Sequence, residues 1–173
     1  MLRRTFLLTL VLACSTAATF AAQSPVPLTD KLTNLEGTWI RDRARGTGGI
    51  CGVNPADRIT IKVSATEVML GASPTAGATA TVGIVRLDGT ETFLADGRTA
   101  KAALDAGWLA VTNRRPRNGG FTNVMREVYI PLRGELTVWR TLNVERPDGG
   151  PDKIDCGNHH AIVYTRESGS TPD

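Results

Sequence analysis

Apolar and polar positions alternate along this chain in short runs. Ile59, Ile61 and Val63 are separated by Thr60 and Lys62, and Leu136, Val138, Leu142 and Val144 recur on one parity. A two-residue period is that of a strand with one face buried. Turn residues punctuate the runs, and the pattern predicts strands over Gly37–Asp42, Arg58–Val63, Glu67–Gly71, Thr79–Leu87, Thr90–Leu94, Thr99–Leu104, Trp108–Asn113, Phe121–Ile130, Leu136–Val144 and His160–Arg166. Asp88-Gly89 is a strong hairpin signal because such a turn needs positive φ, and Arg133-Gly134 joins the two longest runs. No window carries four helical turns of apolar spacing, although Leu28–Leu35 can form a short helix. About ten short strands without a long helix predict an antiparallel sandwich or barrel.

Composition removes other classes. With 173 residues, 41% hydrophobic and 21% charged, the chain has room for one domain, and the mix fits neither a disordered tail, a collagen nor a coiled coil. The start changes the charge. Met1-Leu2-Arg3-Arg4 is basic, Thr5 to Ala13 is an apolar stretch too short to anchor in a bilayer, and Thr19-Phe20-Ala21 offers a cleavage site. This predicts a signal peptide over residues 1–22, a lead-in over 23–34, one barrel domain over 35–167 and a tail over 168–173. Val11-Leu12-Ala13-Cys14 resembles a lipobox, so a lipoprotein anchored through Cys14 is the alternative to a periplasmic or secreted protein. Loss of Arg3 and Arg4 brings the 20 basic residues close to the 17 acidic ones. The densest basic run, Arg114-Arg115-Pro116-Arg117, reads as a solvated hairpin tip, because no aromatic residues alternate with it as nucleic-acid binding would require. Neither nucleic acid nor a membrane span is expected.

If Cys14 leaves with the leader or carries lipid, Cys51 and Cys156 remain, and an even pair in an exported domain reads as a disulfide. Cys51 lies beyond the first strand and Cys156 just before the last. Were those strands paired antiparallel, the bond would staple the seam of a barrel. The expected fold is therefore all-β, a single closed antiparallel β-barrel of about 8–10 strands. Metal binding is not expected: His159 and His160 are adjacent and point to opposite faces of a strand.

Catalytic and cofactor motifs are missing from the sequence. It contains no Gly-x-Ser-x-Gly elbow, its two histidines stand together, and Gly46-Thr47-Gly48-Gly49 lacks the Lys-Ser/Thr of a phosphate loop. No cofactor is expected, and the chain reads as a non-enzyme. Two charges within apolar runs are the candidate ligand-binding residues. Arg126 shares a strand face with Val124, Val128 and Ile130, and Arg140 shares one with Leu136, Val138, Leu142 and Val144. Should those faces point inward, each guanidinium needs a partner, either a carboxylate of the protein or the acidic head of a ligand.

Leu35-Glu36-Gly37-Thr38-Trp39 near the start and Val163-Tyr164-Thr165-Arg166 at the end resemble the bookends of small bacterial lipocalin-like barrels. Asp88-Gly89-Thr90-Glu91, Trp108-Leu109-Ala110-Val111-Thr112, Glu127-Val128-Tyr129 and Leu136-Thr137-Val138 agree in kind. The resemblance implies that Trp39 packs at the closed end against Arg166 in a cation–π contact. It also implies a carrier of a small apolar or amphipathic ligand in the lumen. The second expectation is an inhibitor of a protease or lysozyme, acting through loop tips such as Arg43 to Asn54, and an enzyme built on such a barrel is the third.

Overall fold

The computed structural model describes residues 30–46, 54–75, 81–152 and 160–169. The leader, Cys51, Cys156 and His159 lie outside the described residues, and with them the export, disulfide and lipobox expectations. No described helix is long and apolar enough to cross a membrane.

One short helix, α1 (Asp30–Thr33), leads into eleven strands: β1 (Gly37–Gly46), β2 (Arg58–Val63), β3 (Glu67–Ser73), β4 (Thr81–Arg86), β5 (Thr92–Phe93), β6 (Thr99–Asp105), β7 (Trp108–Pro116), β8 (Thr122–Leu132), β9 (Glu135–Glu145), β10 (Pro151–Asp152) and β11 (His160–Arg166). All ladders are antiparallel, and the order is β4-β3-β2-β1-β11-β9-β8-β7-β6-β5, with β10 pairing β9. The sheet curls into a nearly closed barrel, because β4 comes round to β5 and β6 without a ladder between them.

First and last strands do pair, with Trp39 opposite Arg166 and Arg41 opposite Tyr164. That ladder lies mid-sheet, whereas the opening lies between β4 and β5. The strands flanking Asp88-Gly89 are accordingly not a hairpin. Asp88 Oδ1 accepts from the Thr90 N–H at 2.9 Å and from its hydroxyl at 2.6 Å, which turns the chain away from β4. β5 shrinks to two residues paired with β6. Leu94 Cδ2 would lie 3.4 Å from a Cβ placed on Gly83, so a leucine over a glycine fills the gap. The true tight hairpins are Ala106-Gly107 and Arg133-Gly134, each with two successive positive φ values (50° and 80°, 47° and 81°), which match the twist of the strands they join.

Several strands outrun their predicted ends. β1 continues to Gly46 through Asp42, Arg43, Ala44 and Arg45, a stretch without alternation that ion pairs hold: Arg43 to Asp57, and Arg45 to Asp42 at 2.7 Å and to Glu135 at 2.8 Å. β7 likewise runs on to Pro116, and Arg114 in its basic tip pairs with Glu145 of β9.

The core runs up one side of the longer strands. Trp39, Ile61, Val68, Val85, Ala102, Leu109, Val111, Leu136, Val138, Ile162 and Tyr164 are buried in one cluster, with Leu32 and Leu35 closing the base below. Both ends of the described chain meet at that base, where the Glu167 N–H donates to the Thr38 carbonyl at 2.9 Å.

Candidate ligand-binding site

Two inward faces set the middle of the barrel. On β9, Leu136, Val138, Arg140 and Leu142 are buried, and on β8 Glu127 and Tyr129 are. The register puts Glu127 directly opposite Arg140. Arg140 Nε and Nη2 donate to Glu127 Oε1 at 2.9 and 2.5 Å, and the Tyr129 hydroxyl donates to Oε2 at 3.1 Å. Both charged residues are only 7% exposed. Arg140 Nη1 is buried with no hydrogen-bond partner, leaving one N–H pair of the fork unused. Burial opposes the Arg140 charge, but Glu127 outweighs it, so the guanidinium holds its proton more firmly than usual. Burial also pushes up both neighbouring phenols, Tyr129 well above the ordinary tyrosine range and Tyr164 to about 12.

Arg126 stands elsewhere. Because Glu127 and Tyr129 take the inward parity of β8, the face that Arg126 shares with Val124, Val128 and Ile130 is the outer one, and Arg126 pairs with Asp105 at the end of β6. Both parities of β8 are largely apolar, Met125 and Tyr129 on one side and Val124, Val128 and Ile130 on the other, so its alternation is too weak to choose the face. The structure thus does not bring Arg126 and Arg140 together.

A cleft of about 410 Å³ opens at the far end of the barrel, lined by Arg41, Arg43, Asn54, Pro55, Asp57, Pro74 and Thr75. Arg41 is the cross-strand partner of buried Tyr164 and so stands on the inward face of β1. Asp57, just before β2, meets two guanidiniums: Arg41 at 3.8 Å and Arg43 in a closer contact. The backbone fixes this arrangement, with the Arg41 N–H donating to the Asp57 carbonyl at 2.8 Å and the Asp57 N–H to that of Ser73 at 3.0 Å. Tyr164 lies between cleft and core, and its hydroxyl donates to the Ala56 carbonyl at 3.1 Å. Reasoning from the sequence misses this site. Arg41 stands within β1, Asp57 just before β2 and Thr75 just past β3, and no local spacing signals that the ladders bring them together.

At the opposite end Arg166 lies over Trp39, its Cζ 4.4 Å from the ring centroid. Its Nη1 and Nη2 donate to the carbonyls of Glu36 at 2.6 Å and Asn34 at 2.8 Å, while Trp39 Nε1 donates to the Leu35 carbonyl at 2.9 Å. These bonds tie the chain before β1 across the base. Among the described residues no group of three His, Cys, Asp or Glu side chains gathers as a metal site would need. No family model, curated protein or solved structure matches the chain.

Proposed function

We propose that the chain is an exported, non-enzymatic, lipocalin-like barrel that binds one small amphipathic molecule at its far mouth. The observation that carries this reading is the cleft of about 410 Å³ at one end of a barrel whose other end is packed solid. Its size falls within the range of small-molecule sites, about 300–1,000 Å³. Its wall sets two proline rings beside two guanidiniums, a carboxylate, the Asn54 amide and the Thr75 hydroxyl, so a small apolar surface meets several orienting polar groups. The basic start and apolar run of the sequence support export.

Native mass spectrometry of the full chain with dodecanoic acid, methyl dodecanoate and dodecanol tests the reading. One bound molecule per chain, retained by at least one of these amphipaths and absent with glucose, is the expected result. No adduct with any of the three removes the carrier reading and leaves inhibition through the loops as the account to pursue.

A further inference from the structure

We infer that the acidic end of such a ligand is a single carboxylate held at the rim by Arg41 and Arg43, and that Arg140 takes no part in recognising it. The inference rests on the carrier reading and specifies which end of the molecule the cleft reads.

The argument is one of charge compensation. Arg140 already spends Nε and Nη2 on Glu127, whose second oxygen accepts from Tyr129. An acid brought to the free Nη1 would stand beside the Glu127 carboxylate in a desolvated interior, where like charges repel strongly. Arg126 is also matched, by Asp105. At the cleft the balance differs, because among the described residues Asp57 alone faces both Arg41 and Arg43. One positive charge is left over, which one carboxylate neutralises. A doubly charged phosphate would overshoot it.

Geometry agrees with the charge. The Arg41 and Asp57 side chains are 18% and 17% exposed, so their end of the cleft is largely shielded from water, while Arg43, which also pairs with Asp57, is 72% exposed and reachable by an arriving anion. Arginine forks suit planar carboxylates through paired, charge-assisted hydrogen bonds. The Asn54 amide and the Thr75 hydroxyl, on the same wall, supply further donors. The polar head therefore meets Arg41 and Arg43, and the apolar body lies against Pro55 and Pro74.

The test measures dissociation constants of dodecanoate, methyl dodecanoate and dodecyl phosphate at pH 7, by calorimetry on the full chain. Three proteins are compared: the wild type, Arg43→Met, and the double variant Glu127→Leu with Arg140→Met. Wild-type protein is expected to hold the acid about tenfold or more tighter than the ester, and tighter than the phosphate. Arg43→Met, at a largely exposed position, is expected to bring acid and ester within about threefold, and the core double variant to keep the wild-type ratio. Equal affinity for acid and ester in the wild type overturns the inference while leaving the carrier reading standing. So does a ratio lost in the double variant but kept in Arg43→Met. Binding of none of the probes overturns both.

Discussion

The two ends of this barrel use arginine in opposite ways. At the base, Arg166 lies on the Trp39 ring and gives its hydrogen bonds to two main-chain carbonyls, so its charge is spent on holding the chain. At the far rim, Arg41 and Arg43 share one carboxylate beside open space. The base is closed by groups that satisfy one another. The rim keeps unspent charge. Between them Arg140 and Glu127 form a buried pair that belongs to neither use, satisfied in charge but not in every hydrogen bond. Burial alone thus does not separate these arginines; the acceptors each guanidinium already has do.

That contrast predicts where substitutions hurt. Trp39→Ala should give the largest loss, about 3–5 kcal/mol by denaturant unfolding, since it empties the centre of the base and strands the Arg166 guanidinium. Arg43→Met at the rim should stay within about 0.5 kcal/mol, as is usual for exposed surface positions. Comparable losses at both positions would abolish the distinction between the ends.

Glu127→Leu alone should cost about 3 kcal/mol, because it leaves the Arg140 charge buried and unpaired, whereas adding Arg140→Met should restore stability to near the wild-type value. A double variant as unstable as the single one would mean that the pair stabilises the barrel beyond its own mutual compensation.

The third effect appears in alkali. Tyr164 has its folded pKa raised from 10.0 to about 12, so the folded chain binds the phenolic proton more tightly than the unfolded one does. The stabilisation is complete below pH 10 and is lost as pH rises towards 12, about 2–3 kcal/mol in all. Tyr164→Phe should lose that share of the alkaline slope in urea melts taken from pH 9 to 12. Tyr129, also raised well above the ordinary tyrosine range by burial, should keep its own share of the slope in this variant.

How far the sequence reached follows the same division. Alternation in β2 and β9 is clean, Ile59-Ile61-Val63 and Leu136-Val138-Leu142, and both strands lie where the pattern puts them with those residues facing inward. The apolar neighbours of Arg140 marked the face it shares but left open whether that face points inward, and its partner Glu127 becomes legible only once the register of β8 against β9 is known. β8 itself is apolar on both parities, which hid the outward face of Arg126. The rim cleft was illegible for a different reason. It is made from the middle of β1, the approach to β2 and the residues just past β3, and no periodicity links such separated segments. Asp88-Gly89 predicted a turn correctly but not its partners, because a turn signal says that the chain reverses and not which ladder follows.

The place of β11 in the sheet has a consequence for how the molecule assembles. β1 to β4 form one meander and β5 to β9 another, each made of contacts close in sequence. Among the described residues only β11 joins them by hydrogen-bonded ladders, returning from the far end of the chain to slot between β1 and β9. Sequence-local pairings form early, and the entropy of closing a long loop must be met before a distant pairing gives anything back. Each meander can therefore take shape on its own timescale, whereas the barrel exists only once its last strand is threaded between the other two. The rate of folding should be set by that arrival, and a chain shortened before His160 should leave two half-sheets with no ladder between β1 and β9.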